Sequence, residues 1–290
     1  MISFSHLGTM GRLGNQMFQY AFIRAMATRL AVTFWCPNWE GDEIFDLRDD
    51  SMRATDRPNL KAWYAPDSNC GWLQDWRPVD NVDYVGYFVS ARYLPAQETV
   101  RGWFRFRERV VASALSRAMS IEFENSIALH VRLEDHTTLA NYYNPRVEYY
   151  RESVEVLDPT GRMGIVVFSD EPIRAASFLR RLGRPFRVVS GGNAAEDIYL
   201  MSRCSAVVVA ASSFRWWGGF LSGGRVICPA QGMLRPGASV TAEDPWPTDW
   251  LQLDAGLRWY DRAYIRHLML KLRGVAGRLR RRVVIRRGAK

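Results

Sequence analysis

From residue 126 onward the chain repeats one pattern: a short apolar run, a turn, then a stretch with helical periodicity. The runs are 126–131, 164–168, 186–189, 206–210 and 224–228. Each has strand length and is apolar nearly throughout, as a strand covered on both faces must be. Helical stretches at 147–156, 172–182 and 196–204 lie between most of them. Buried strands alternating with helices predict a parallel α/β sheet. In such sheets ligands bind at the carboxyl ends of the strands. Four of the five runs end there in charged, polar or glycine-rich turns, among them Ser169-Asp170-Glu171, Ser190-Gly191-Gly192 and Ser212-Ser213.

The first half reads differently. Met17, Phe18, Ala21, Phe22, Ala25 and Met26 mark an amphipathic helix over 14–30, and 31–36 reads as a short strand closed by Pro37-Asn38. Residues 38–81 have weak periodicity and read as loops and short helices, and 110–119 reads as helix. The division expected is an N-terminal, acceptor-side domain over 1–118, a C-terminal nucleotide-type domain over 119–258, and a tail over 259–290. The two α/β domains would enclose a cleft.

Composition limits what else the chain can be. A mean hydropathy of −0.21 with 24% charged residues excludes a membrane-embedded or wholly disordered chain. The net charge of +9 suggests a polyanion binder until it is located. Residues 262–290 hold 11 Lys and Arg and no acidic residue, leaving 28 basic against 30 acidic in 1–261. The body is therefore close to neutral. Cys36, Cys70, Cys204 and Cys228 are widely separated, as expected of reduced cytosolic thiols rather than a disulfide framework. The first residues lack a signal-peptide pattern, and no apolar run approaches the roughly 20 residues of a membrane span. A cytoplasmic location is expected.

Four motifs could carry chemistry. Gly11-Arg12-Leu13-Gly14-Asn15-Gln16 precedes the first helix, where glycines let backbone N–H groups approach an anion. Asn15 and Gln16 could bind hydroxyls or phosphate oxygens, or Asn15 could simply cap a turn. His130-Val131-Arg132-Leu133-Glu134-Asp135 closes the run at 126–131, and strand alternation puts His130 and Arg132 on one side. Arg132 could hold a diphosphate bidentately, or close the strand end in an ion pair with an Asp. His130 could instead be a satisfied core histidine. Ser169 and Asp170 could accept hydrogen bonds from a ligand; capping of the helix beginning near Pro172 is the default expectation. Ser212-Ser213-Phe214-Arg215-Trp216-Trp217-Gly218 places two hydroxyls before a helix, a phosphate-binding geometry, with the Trp pair expected in packing.

The order of these motifs resembles glycosyltransferase family 11, the α-1,2-fucosyltransferases. The resemblance runs through Gly14-Asn15-Gln16-Met17-Phe18-Gln19-Tyr20-Ala21, Gly86-Tyr87-Phe88, Asp197-x-x-x-Met201-x-x-Cys204 and Ser212-Ser213-Phe214-x-Trp216-Trp217-Gly218, covering residues 8–221. It implies a GT-B fold of two Rossmann-like domains. It also implies an inverting, metal-independent transferase moving L-fucose from GDP-β-L-fucose to a sugar hydroxyl, expected to be the 2-OH of galactose in a bacterial surface or lipid-linked glycan. No Asp-x-Asp element is present, in keeping with no metal cofactor. By position Arg132 resembles the arginine that holds the donor diphosphate, with His130 and Asp135 in the same catalytic frame. Gly14, Asn15, Gln16, Ser169, Asp170, Ser212, Ser213 and Phe214 are the expected donor-binding positions.

Two departures stand out. Leu133 replaces the family's second arginine, and Glu134 replaces a glycine. Arg12 and Arg215, each where the family has a small residue, could supply the missing cation. Candidates for the general base are Asp135, Glu134 and Asp170, since deprotonating the attacking hydroxyl calls for a carboxylate. The tail carries Ile265, Leu268, Leu272, Val275, Leu279 and Val283 at helical spacing among arginines, a pattern suited to docking on an anionic inner-leaflet surface. A different GDP-sugar or linkage is one alternative. A protein binding anionic polymers through this tail is another, though the near-neutral body counts against nucleic acid.

Overall fold

The computed structural model describes residues 1–47, 51–133, 143–235 and 238–256. The first half contains β1 (Ile2–Ser3), α1 (Leu13–Leu30), β2 (Phe34–Trp35), α2 (Gly41–Ile44), β3 (Lys61–Tyr64), β4 (Val82–Val85), α3 (Gln97–Trp103) and α4 (Glu108–Ser116). The second contains β5 (Ser126–Val131), α5 (Val147–Leu157), β6 (Gly164–Ser169), α6 (Pro172–Phe178), β7 (Arg187–Val189), α7 (Ala194–Arg203), β8 (Ala206–Val208), α8 (Ser213–Ser222), β9 (Arg225–Pro229) and β10 (Leu251–Leu253). Two all-parallel sheets result, ordered β2-β1-β4-β3 and β10-β9-β8-β5-β6-β7.

The second sheet follows the apolar runs closely. All six residues of β5 are buried, and its pairing with β6 sets His130 opposite Phe168 and Val131 opposite Ser169. Its neighbours β6 and β8 pair with both of its edges, and the burial of all six residues shows that both faces are covered as well. The first sheet departs from expectation. Residues 38–81 include a strand, β3, which pairs in parallel with β4 although its residues Lys61, Ala62, Trp63 and Tyr64 alternate poorly. β1 joins β4 only through Ser3 opposite Asp83. That joint is secured by the buried Asp83 carboxylate, which accepts from Ser3 Oγ at 2.7 Å, Ser5 N at 2.8 Å and Ser5 Oγ at 2.6 Å.

The helix α1 is not the one-sided amphipathic element its spacing predicts. Every residue from Gly14 to Ala27 is buried except Asn15 and Arg24, because the helix lies between the first sheet and α8 of the second half. A helix enclosed on all sides is apolar on all sides. Phe18 packs on Trp216 and Trp217, with ring centroids 4.5 and 5.0 Å apart, and Trp217 Nε1 donates to Gly14 O at 2.9 Å. Both tryptophans are fully buried, as expected of packing residues. The second half also reaches back along its 241–244 segment: Cys70 N donates to Thr241 O, Trp72 N to Glu243 O, and Ser90 Oγ to Asp244 O. One apolar core consequently runs through both halves. Among the described residues no helix is long and apolar enough to cross a membrane.

Candidate active site

Between the halves, at the carboxyl ends of the second sheet, lies a cleft of about 1220 Å³. Its first wall is the N-terminus of α1. Gly11 adopts a left-handed backbone (φ 75°), and a Cβ there would fall 2.4 Å from Asn15 Nδ2. Arg12, exposed and extended, is the residue before the helix; Asn15 lies inside the first turn and faces the cleft, so the capping role considered for it is not the one observed. Gln16 Nε2 donates to Gly11 O at 3.1 Å and holds the loop against the helix.

The opposing wall is the N-terminus of α8. Ser212 is extended and makes no side-chain capping bond, and Ser212, Ser213 and Phe214 all line the cleft. Gly14 lets these walls meet: a Cβ on it would lie 2.5 Å from Phe214 N and 2.7 Å from Phe214 Cα. Two helix N-termini, with their unpaired N–H groups and positive ends, therefore open onto one space.

The floor is the end of β5. His130 and Arg132 both line the cleft, as alternation requires, and Leu133 turns into the apolar cluster behind the sheet. Asp170 does not cap α6. Its Oδ1 accepts the Leu133 N–H at 3.0 Å and its Oδ2 lies 3.6 Å from Arg132 Nε, bracing the ends of β5 and β6 together. Ser169 Oγ accepts the Glu171 N–H at 3.0 Å, and α6 starts on Pro172 without a side-chain cap. The physical reason is distance: Asp170 lies beside the neighbouring strand end, which offers it a backbone donor and a cation at once.

The two cations considered as replacements for the arginine absent at Leu133 have different places. Arg12 lines the cleft. Arg215 lies beneath the floor, fully buried, with Nε donating to His130 Nδ1 at 2.8 Å. Burial pushes its guanidinium down to about 10; Tyr150 opposes that shift, Arg132 reinforces it, and Asp170 opposes it again. It remains charged at neutral pH.

Arg117 is a cleft residue that no sequence motif marked. It leaves the end of α4, passes over Gly192 and pairs with Glu196 (Nε to Oε2, 3.1 Å) and Asp197 (Nη2 to Oδ1, 2.5 Å) at the start of α7. A Cβ on Gly192 would stand 2.0 Å from Arg117 Cζ. Gly192 of the Ser190-Gly191-Gly192 turn makes room for a side chain from 75 residues earlier in the chain, which no local pattern names. Burial raises the Asp197 carboxyl, and Arg117 partly offsets this. Asp135 and Glu134 lie outside the described residues, as does the tail from 257. Among the described residues, no three His, Cys, Asp or Glu are grouped to hold a metal ion. Two helix N-termini, serine hydroxyls and Arg132 converging on one space are suited to an extended anion such as a diphosphate.

Comparison with known proteins agrees with this architecture. The chain is 25% identical over 187 residues to an α-1,2-colitosyltransferase of Escherichia coli, a match covering 60% of this chain and 63% of that protein. It is 29% identical over 114 residues to the O-antigen biosynthesis glycosyltransferase WbnK of the same organism, covering 35% of this chain and 36% of the other. The matches thus span less than two thirds of either relative. Among solved structures, POFUT1 in complex with GDP superposes with a TM-score of 0.51 at 15% identity, over 78% of this chain and 96% of that one. NodZ α-1,6-fucosyltransferase soaked with GDP-fucose gives 0.52 at 14% identity, over 82% and 97%. These likenesses establish the fold as GT-B, with two Rossmann-like halves. The model of glycosyl transferase family 11 matches residues 100–253, more than half of the sequence and most of the cleft's second wall and floor; the chain belongs to that family.

Proposed function

We propose that the protein is an inverting glycosyltransferase that takes L-fucose from GDP-β-L-fucose and attaches it to a hydroxyl of an oligosaccharide or lipid-linked glycan, the 2-OH of galactose being the favoured acceptor position. The observation that carries this reading is the convergence of Arg132 and the N-termini of α1 and α8 on one cleft. Negative charge grows on the diphosphate as the glycosidic bond breaks, and fixed donors aimed at it stabilise that state more than the ground state. Arg132 is the principal electrophile, lining the cleft beside Asp170. Asn15, Gln16, Ser212, Ser213 and the Phe214 backbone surround the donor. With a cation and two helix dipoles supplying this stabilisation, the reaction needs no metal, and chelation should leave its rate unchanged. Asp170 already serves Leu133 N and Arg132, which favours Asp135 as the group that receives the acceptor's proton.

A second reading has its own support. The colitosyltransferase relative is named for a different sugar, so GDP-colitose competes with GDP-fucose as the donor. Release of GDP from each nucleotide sugar, with galactose-terminated acceptors, decides between them. GDP release from neither would overturn both donor readings.

The tail is proposed to hold the enzyme at the inner face of the cell membrane through its 11 cationic residues. Truncation after residue 272 should release the protein from anionic liposomes and leave activity on soluble acceptors unchanged. Retained liposome binding would remove this proposal.

A further inference from the structure

One side of the cleft has no part in holding the donor. It is formed on the first half by the carboxyl ends of β3 and β4, where Tyr64, Asp67 and Tyr87 line the space. Tyr64 is 66% exposed and Tyr87 37%, whereas every other phenylalanine, tyrosine and tryptophan among the described residues is buried or half-buried. The two exposed rings therefore share one wall of one cleft. Neither meets another ring, and neither hydroxyl has a hydrogen-bond partner among the described residues. Large apolar surface left in water at a cleft marks a place where something else covers it.

The backbone holds Tyr87 out at a cost. Phe88, next in the chain, has a left-handed backbone (φ 51°), which is unfavourable for an aromatic residue and persists only where the surroundings fix it. They do so here: the Phe88 ring is buried, stacked on Phe22 with centroids 3.6 Å apart, and Val89 N donates to Cys70 O at 2.7 Å. On the other flank a Cβ on Gly86 would fall 2.6 Å from Ala65 Cβ, so the ends of β3 and β4 are drawn together. Between these two anchors Tyr87 faces the cleft beside the strand end that carries Tyr64. The stretches 64–70 and 85–89 hold one carboxylate, Asp67, and no lysine or arginine. Such a surface suits an uncharged occupant and disfavours a phosphate.

We propose that Tyr64 and Tyr87 are the acceptor platform, on which a neutral pyranose ring of the glycan lays its C–H face while Asp67 accepts from its hydroxyls. The proposal rests on the reading of the cleft as a site of glycosyl transfer. The face of an aromatic ring is the negative pole of its quadrupole and attracts the weakly positive C–H groups of a sugar. The tyrosine hydroxyls and the carboxylate supply the polar contacts that fix its orientation.

Saturation-transfer difference spectra of the full-length protein test this without a donor, using methyl β-galactoside and N-acetyllactosamine as neutral probes. The wild type should pass saturation to the C–H protons of the galactose ring. The double variant Tyr64→Ala, Tyr87→Ala should pass it to neither probe, and Tyr64→Phe, Tyr87→Phe, which keeps both rings, to both. In GDP-release assays each single alanine variant should raise the acceptor KM about tenfold, as expected for one lost stacked ring. GDP affinity and melting temperature should stay at wild-type values; a merely structural role would move both. A wild type that passes saturation to neither probe, or a double alanine variant that matches the wild type, overturns the proposal. Failure of the transferase reading has a different signature: no GDP release from either nucleotide sugar, with ring-dependent binding of the probes intact.

Discussion

Replacing Gly14 with alanine tests the joint between the two halves. The added methyl would sit 2.5 Å from Phe214 N, 2.7 Å from Phe214 Cα and 2.8 Å from Ser213 C, where ordinary contact begins at 3.4 Å. The walls must therefore separate by about 0.9 Å. The obstructing atoms are all backbone in the first turn of α8, and that helix is anchored by the fully buried Trp216 and Trp217, so no side chain can swing aside. Overpacking of this kind costs about 1–3 kcal/mol. Stretching the bond from Trp217 Nε1 to Gly14 O adds about 1 kcal/mol. Together these should lower the melting temperature by about 5–10 °C. Ser213 and Phe214 belong to the proposed donor site, and a misplacement of about 1 Å can reduce turnover on the order of a hundredfold. Differential scanning calorimetry and a coupled GDP-release assay measure the two effects. Gly11→Ala is the control: its strain is local, from a positive φ and the Asn15 side chain, so it should spare the contact with α8. Wild-type melting and turnover in Gly14→Ala would show that the close approach of α1 and α8 does not shape the site.

Arg132→Lys keeps the charge and loses the fork, and should reduce kcat about a hundredfold with a smaller change in donor KM; undiminished kcat in steady-state assays would remove Arg132 from its assigned role. Asp170→Ala should weaken GDP binding roughly tenfold in calorimetric titration, because Leu133 N and Arg132 both lose their brace; unchanged affinity would make the brace irrelevant. Asp158 supplies a pH-dependent test remote from the cleft. Burial opposes its ionisation, but Met163 N–H at 2.8 Å and Arg184 Nη1 at 2.8 Å hold its carboxyl well below the usual range. Its folded-state value is depressed, so its stabilisation is present above the unfolded value of about 3.9 and is lost as the pH falls through the folded one. Arg184→Met should move the acid-unfolding midpoint to higher pH, read by tryptophan fluorescence; an unmoved midpoint would contradict the pairing.

The second sheet was legible because strands buried on both faces leave continuous apolar runs, and five of its six strands were located within a few residues. β10, the two-residue β1, and β3 left no such record, whereas β2 falls inside the short strand read at 31–36. β10 is an edge strand with two exposed residues, and β3 alternates poorly. Strands of that kind are held by pairing with a neighbour already in place, as β3 is by β4 over four residues. The same division runs through the site. His130 and Arg132 could be assigned to one side of β5 by alternation alone.

The amino-acid sequence by itself determined the α/β class, the positions of the glycine and serine turns, the family, and the separation of a near-neutral body from a basic tail. These are properties of composition and local periodicity, written within windows of a few residues. Tertiary structure decided what those residues do to one another. It set Asp170 between two strand ends instead of at a helix start, brought Arg117 to Asp197 from 80 residues away, and set Arg215 beneath His130 across 85. No local pattern records such pairs, because their contact energy exists only once the intervening chain has folded and excluded water from between them.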